Sequence, residues 1–307
     1  MSSTAVDPEI YSKSGNVDKH LEGVKKQYDT AEKLEFYAEV MGDGTANIHF
    51  GKWDGIDLEE EGAYGKASEK MTDYMFDLAH SLTPEARQSA KDFKYVDLGS
   101  GTGAAAIRLT EMHDFISTAA CLNLCDEQNA LAKSRATEKG IGERVRVETG
   151  TYEDVHMFAE NEFDMAFSQD AFVHAFSKLK AYKEALKIVR PGGAFIFCDL
   201  MCGDGPDVSS EELETFAQTN MVNDWLSPAQ NVKVAQEAGW TDVTFVDLTS
   251  DIRTSFQLMG KKVEKMIAAG TKIDPVLLTT YKENLARRVT QVDRGVFKWG
   301  VIHAKKA

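Results

Sequence analysis

The chain predicts an α/β fold: a mostly parallel sheet with helices packed on both faces. Three observations carry this. From about residue 95 onward, short apolar β-type runs alternate with helix-period segments. A glycine-rich turn, Gly99-Ser100-Gly101-Thr102-Gly103, joins the first of those strands to the helix after it. Arg190-Pro191-Gly192-Gly193 stops a helix just ahead of another strand. Strands separated by helices pair in parallel, because each crossover helix carries the chain back to the same end of the sheet.

Taken in order, residues 1–20 read as a loose tail. Val24, Tyr28, Ala31, Leu34, Tyr37, Ala38 and Met41 then recur at helical spacing until Gly42-Asp43-Gly44 breaks the pattern. Ile48-His49-Phe50-Gly51 is a short extended piece. Met71, Tyr74, Met75, Leu78 and Leu82 mark one face of a second helix, ended by Thr83-Pro84. The strand over 95–98 follows, then a helix over 104–112, a strand over 117–124, and a helix over 127–139 closed by Gly140. Strands are predicted over 145–148 and 163–168, a helix over 179–189, and a strand over 194–200. The polar stretch from Gly203 to Ser210 is a loop. Residues 211–238 read as helices bearing Trp225. A strand over 243–248, helices over 256–269 and 275–292, and a last strand over 296–304 complete the chain.

Composition narrows the function. Of 307 residues, 43% are hydrophobic, enough for a sizeable core. The balance of 35 basic to 49 acidic residues gives a net charge of -14, a field that repels phosphate backbones and argues against a nucleic-acid partner. No apolar run approaches the roughly 18 residues of a membrane span. The polar first 26 residues lack a secretory or transit signature, which makes the cytoplasm the expected compartment. The cysteine pairs Cys121/Cys125 and Cys198/Cys202 are spaced more widely than a zinc knuckle. They read as buried thiols, against the alternative of a disulfide or metal site, and no metal is expected.

The informative segment is Val96-Asp97-Leu98-Gly99-Ser100-Gly101-Thr102-Gly103. Glycines between strand and helix let a ligand approach the backbone. Gly99, Gly101 and Ala104 satisfy a relaxed dinucleotide fingerprint, but that motif wants an acid about 20 residues on, where this chain has Asn123. Asp97 lies where its charge would disfavour a pyrophosphate and suit an ammonium.

These motifs, in this order over about residues 90–200, resemble a class I S-adenosylmethionine-dependent methyltransferase. The resemblance implies a Rossmann-like, seven-stranded, mostly parallel sheet with helical lid elements, and S-adenosylmethionine as cofactor. It divides the chain into an N-terminal helical segment or lid (1–90), a cofactor-binding core (91–202), a helical lid insertion (203–240) and a C-terminal completion of the sheet (241–307). It implies that Asp97, Gly99, Gly101 and Gly103 hold the methionine part, and that Asn123, in place of the usual acid, meets the ribose with Leu124 and Gln128 beside it. Thr151 and Tyr152 fall in the loop that flanks adenine, and Gln169, just past the fourth strand, is a further candidate cofactor contact.

Residues after the fourth strand face the methyl acceptor. The Asn/Asp-Pro-Pro-aromatic of nucleobase amine methylators is missing there, as is the cysteine of cytosine carbon methylators. Ser168-Gln169-Asp170-Ala171-Phe172-Val173-His174, with Asn47-Ile48-His49-Phe50-Gly51 and Phe297-Lys298-Trp299-Gly300, resembles the sarcosine/dimethylglycine methyltransferases of glycine-betaine synthesis. Phosphoethanolamine methyltransferases have a similar stretch with arginine at the position of Gln169. Enzymes that S-methylate a thioether acid toward dimethylsulfoniopropionate are further relatives.

The implied reaction is N-methylation of sarcosine and dimethylglycine. The alternatives are 4-methylthio-2-hydroxybutyrate or phosphoethanolamine as acceptor, and a cofactor-binding protein without catalysis. His174 is the first candidate for a base, with Tyr28 or Tyr37 as partner. His49, Asp170 and Met201 are expected at the acceptor. Trp53, Phe172 and Trp225 join the two tyrosines as candidate faces for a methylated cation. Arg253 is the candidate partner for a substrate carboxylate. Whether the chain forms a homodimer is left open.

Overall fold

The computed structural model describes residues 15–28, 35–42, 45–203 and 210–307. Seven strands form one sheet: β1 (Phe93–Leu98), β2 (Ile116–Asn123), β3 (Val145–Thr149), β4 (Phe163–Gln169), β5 (Val189–Cys202), β6 (Trp240–Asp247) and β7 (Phe297–Lys306). Their order across the sheet is β3-β2-β1-β4-β5-β7-β6. β1 pairs in parallel with β2 on one side and β4 on the other, and β7 lies antiparallel between β5 and β6. The chain therefore winds outward from β1 in one direction and from β4 in the other. A crevice opens at the carboxyl ends of strands where the winding reverses, and ligands of open α/β sheets bind there.

Period-two alternation sends strand side chains to two cores. Tyr95, Phe167 and Ile196 pack against α2 (Ala63–Leu82) and α8 (Thr249–Ala269). Val96, Phe195 and Phe197 pack against α5 (Lys178–Ile188) and α7 (Pro228–Ala238). The helices α3 (Ala104–Met112) and α4 (Asp126–Glu138) follow β1 and β2, and α9 (Pro275–Asp293) lies against α8.

Several boundaries differ from the sequence reading for identifiable reasons. α1 (Val17–Tyr28) starts inside the predicted tail, because the Asn16 side chain accepts from the backbone of Asp18 (2.9 Å) and Lys19 (3.3 Å) and caps it. The rest of that tail, residues 1–14, lies outside the described residues. So do residues 29–34, which include Ala31 and Leu34 of the predicted 24–41 helix, residues 43–44 of its glycine break, and residues 204–209 of the predicted loop. Ala38–Gly42 forms a single π-turn.

Arg190-Pro191-Gly192-Gly193 belongs to β5. The register jumps from Phe163↔Val189 to Met165↔Ala194, so these four residues bulge from the ladder, where a proline without an N–H is tolerated. Ile48–Gly51 pairs with no strand; side chains hold it instead. Trp225 sits on the connection between α6 (Ser210–Thr219) and α7, not on a helix. All four cysteines are buried thiols.

Candidate active site

A cavity of about 270 Å³ opens at the carboxyl ends of β1, β2, β4 and β5. Side chains of α1, the π-turn, α6, α8 and α9 close around it, with the 46–50 segment between.

Its floor is the glycine turn. The N–H groups of Gly99 and Ser100 both donate to the Leu122 carbonyl (2.8 and 3.2 Å), bending the chain back over β2. Gly99 has φ +86°, and a Cβ there would lie 2.5 Å from the Ala171 Cβ. Asp97, 3% exposed, lines the cavity, and no described residue donates to its carboxyl. Burial alone raises that carboxyl to about 7. Asn123 Nδ2 donates to Gln128 Oε1 (2.9 Å), so the two amides orient each other at the cavity edge.

Two further buried carboxyls face the same space. Asp170 accepts from the Phe50 N–H (2.9 Å) and from Trp299 Nε1 (2.8 Å); burial outweighs both and raises it to about 6. Asp199, near the carboxyl end of β5, accepts from the N–H groups of Val173 and Leu200. Burial and the nearby Asp170 charge push it well above the carboxylate range, against the pull of Lys178. Lys178 lies buried below, donating to the Phe172 carbonyl, and burial lowers it to about 8. Among the described residues lining the cavity there is no arginine or lysine.

Contrast Asp164 at the opposite end of β4. It is equally buried but ion-paired to Arg87 (2.6 Å) and Arg190 (3.1 Å), as a structural carboxylate should be. Among the described residues the three cavity carboxyls have no such ion pair. Asp170, at about 6, and Asp97, at about 7, are the two that carry charge near neutral pH, and that charge favours a cation.

In the same cavity, His174 Nδ1 donates to the Met221 carbonyl (3.3 Å), which leaves the Nε2 lone pair to accept from the Tyr28 hydroxyl (2.9 Å). Burial lowers His174 to about 4 and raises Tyr28 well above 10, so both are neutral at physiological pH. The Tyr37 ring lies 6.0 Å from that of Tyr28. His20, buried on α1, donates from Nε2 to the His174 carbonyl (2.8 Å) and fastens the helix to this loop.

Of the residues proposed from the sequence, the structure brings together Tyr28, Tyr37, His49, Asp97, Gly99 and Gly101 around one cavity. Asn123, Leu124, Gln128, Tyr152, Gln169, Asp170 and His174 join them. The others lie elsewhere. Gly103 caps α3, packed against Ala132. Thr151 accepts from the Glu153 N–H (3.2 Å), while its neighbours Gly150 and Tyr152 reach the cavity. Trp53 is buried between α2 and α8, its Nε1 donating to Ser255 Oγ (2.8 Å). Phe172 and Met201 belong to the core beneath α5. Trp225 donates to the Leu200 carbonyl (3.0 Å) and stacks on Phe216 at 4.4 Å; Phe216, not Trp225, lines the cavity. Arg253 forms a two-pronged surface pair with Asp293 (2.5 and 2.9 Å) and does not line the cavity.

Residues missed in the sequence also line the cavity: Asp199, Phe50, Phe216, Phe256 and Tyr281. Asp199 could have been found by the strand-end rule that singled out Asp170. Phe256 and Tyr281 carry no local signal.

A methyltransferase-domain family model matches residues 96–197, the stretch from β1 to β5 that builds the cavity floor. The chain is 25% identical to a sarcosine/dimethylglycine N-methyltransferase of Halorhodospira halochloris, over 94% of this chain and 98% of the relative. It is 24% identical to the enzyme of that name from Aphanothece halophytica, over 89% and 95%. This chain is a class I S-adenosylmethionine-dependent methyltransferase. Its fold matches a Galdieria sulphuraria protein proposed to be a sarcosine dimethylglycine methyltransferase, with a TM-score of 0.78 at 21% identity over 89% and 97% of the two chains. It also matches the Haemonchus contortus phosphoethanolamine N-methyltransferase 2, with a TM-score of 0.75 at 16% identity over 96% and 61%.

The methyltransferase's residues fit S-adenosylmethionine. Asp97 offers a buried carboxyl with no donor among the described residues, suited to an ammonium. At Gly101 the turn leaves room that a side chain would fill, and the Asn123–Gln128 pair presents amides to hydroxyl groups. Gly99→Ala tests the turn. The added methyl meets Ala171 and strains a backbone at positive φ, each costing about 1–3 kcal/mol. The expected result in calorimetry is cofactor affinity lowered by roughly tenfold or more, and unchanged affinity would show that the turn does not contact the cofactor. Among the described residues, no helix of the methyltransferase is long and apolar enough to cross a membrane.

Proposed function

We propose that this methyltransferase N-methylates small secondary and tertiary amines of the sarcosine and dimethylglycine type, yielding glycine betaine. The observation that carries the reading is the neutral Tyr28–His174 pair lining one cavity with Asp170 and Asp199. Bound S-adenosylmethionine supplies an electrophilic methyl group on a sulfonium. Everything else asked of the protein is positioning, which is worth roughly 7–11 kcal/mol of barrier when two reactants are held in line.

An amine arrives as an ammonium with a pKa near 10.4, so only about one molecule in a thousand is nucleophilic at pH 7. The buried carboxyls draw the cation in, and a carboxylate among them can take its proton. With its own proton committed to His174, the Tyr28 oxygen presents lone pairs to the N–H of the sarcosine amine, or to that of the dimethylglycine ammonium before its proton leaves. In sarcosine that contact fixes the direction of the lone pair; in dimethylglycine it places the nitrogen, whose lone pair appears where the proton was held. Tyr37, Phe50 and Phe256 offer ring faces to the cationic product. The 24–25% relatives named for sarcosine and dimethylglycine support the same acceptors.

One observation favours a second reading. No strong base lines the described cavity, and a thioether has no proton to lose. S-methylation of 4-methylthio-2-hydroxybutyrate would need nothing the site lacks.

The test is turnover with S-adenosylmethionine and five acceptors, read by mass spectrometry: glycine, sarcosine, dimethylglycine, 4-methylthio-2-hydroxybutyrate and phosphoethanolamine. Betaine from dimethylglycine is expected. Silence on both sarcosine and dimethylglycine would overturn the proposed acceptor, and product from the thioether acid would install the second reading.

A further inference from the structure

His49 sits on the segment that closes the cavity beside the glycine turn. It is 7% exposed, and its Nε2 has no hydrogen-bond partner among the described residues. A buried donor left unmet costs free energy, and each such group in a native site asks for an explanation. The segment is not loose. Ser68 Oγ on α2 donates to the His49 carbonyl (2.9 Å), and the Lys52 N–H donates to the Ala67 carbonyl (2.9 Å). The chain passes so close to α2 that a Cβ at Gly51 would lie 2.5 Å from the Ala67 Cβ.

The ring is also fixed. Thr72 Oγ1, fully buried on α2, has one proton to give; it lies 3.0 Å from Gln169 Oε1 and 3.4 Å from the Ser68 carbonyl. Donation to the nearer oxygen turns the Gln169 amide nitrogen toward His49 Nδ1, at 2.9 Å. An amide N–H₂ can only donate, so Nδ1 must accept and the ring proton must sit on Nε2. Burial keeps the ring neutral by lowering it to about 4, opposed in part by the neighbouring Phe50 backbone.

The position of that N–H suggests its partner. Ile48 faces Gly101, and Thr102 Oγ1 donates to the Ala46 carbonyl (3.3 Å), so the segment lies against the end of the glycine turn. Asp97 there suits an ammonium, and no described arginine or lysine lines the cavity to meet the carboxylate of an amino-acid group. We propose that the Nε2–H of His49 is the anchor for a ligand carboxylate, that of the methionine part of S-adenosylmethionine, and that Thr72 and Gln169 are positioning residues that hold its tautomer. The inference rests on the cofactor and not on the choice of acceptor.

Two readouts test it on the full chain. Calorimetry compares S-adenosylmethionine with its decarboxylated form in wild type, His49→Leu and His49→Gln. Wild type is expected to prefer the carboxylate-bearing form. His49→Leu should erase that preference, losing roughly 10- to 100-fold in affinity for S-adenosylmethionine. His49→Gln, whose amide nitrogen falls near the Nε2 position, should recover most of it. If cofactor affinity stays and the acceptor KM rises by the same factor, the carboxylate belongs to the acceptor and the cofactor assignment is overturned. If neither moves, the proposal fails.

The second readout is the ¹⁵N spectrum of the His49 ring. Wild type should show the Nε2–H tautomer. Gln169→Glu, nearly the same shape but an acceptor toward Nδ1, should invert it and weaken cofactor binding as His49→Leu does. This arm stands even if His49→Leu does not fold. An Nδ1–H tautomer in the wild type would overturn the relay.

Discussion

Asp97→Asn is expected to abolish measurable S-adenosylmethionine binding and, in the same protein, to raise the melting temperature of the ligand-free state at pH 8. The two effects have one cause. Burial raises Asp97 to about 7, against about 3.9 for an unfolded aspartate. A group raised on folding gives its stabilisation below the unfolded pKa and loses it as pH rises through the folded one. For Asp97 the loss runs from about pH 4 to pH 7 and is complete above. A rise of that size corresponds to about 4 kcal/mol at most, and relaxation around the charge reduces this to the order of 1–4 kcal/mol.

The neutral amide carries no such penalty. The variant's thermal advantage should therefore grow between pH 4 and pH 7 and stay flat above, a profile scanning calorimetry can follow. Binding has the opposite demand. An ammonium wants the carboxylate, so wild-type affinity should fall about tenfold per pH unit below 7. It should fall again above about 8, where an α-amino group loses its charge. A variant that still binds, or that gains no stability at pH 8, would remove Asp97 from this role.

What the sequence revealed follows the reach of each signal. The glycine turn, Asp97, Asn123 and Gln128 were legible because they are contiguous with strand ends, where local pattern and topology agree. Tyr28 and His174 are 146 residues apart, yet each was singled out, one by a helix-period pattern and the other by the motif after β4. Failures came where packing decides. Met201 was chosen at the end of β5, but it packs into the core with Phe195 and Phe197, and Asp199 and Leu200 line the cavity.

Trp53 and Phe172 have the right chemistry for a cation and are consumed by the core. An isolated arginine says nothing of its partner, and Arg253 found Asp293 on the next helix. Phe256 and Tyr281 enter from α8 and α9, which no sequence motif ties to the sheet. His49 was named for its motif, but the Gln169 and Thr72 contacts that fix its ring exist only in three dimensions.

Tyr28→Phe should lower kcat by roughly 10²–10⁴-fold while moving the S-adenosylmethionine Kd little, and His174→Ala should do the same. Tyr28→Phe is the sharper change. It keeps the ring against Tyr37 and removes one oxygen. If the hydroxyl only packed, the loss would be small, because the aromatic contact survives. If it orients the acceptor, kcat falls and the cofactor Kd is unaffected. His174 adds a second test. Its imidazole, at about 4, is too weak a base to deprotonate an ammonium directly, so its contribution must pass through Tyr28. Two groups that act as one unit are not additive. The double variant should therefore be no slower than either single variant, within a factor of about three. Multiplying losses would mean that His174 meets the acceptor on its own. His20 offers the control for structure, since it holds the His174 backbone but not its ring. His20→Gln should lower the melting temperature and leave the kcat of the folded enzyme nearly unchanged. A loss of kcat in His20→Gln as large as in Tyr28→Phe would mean that the loop's placement, not the hydroxyl, sets the rate.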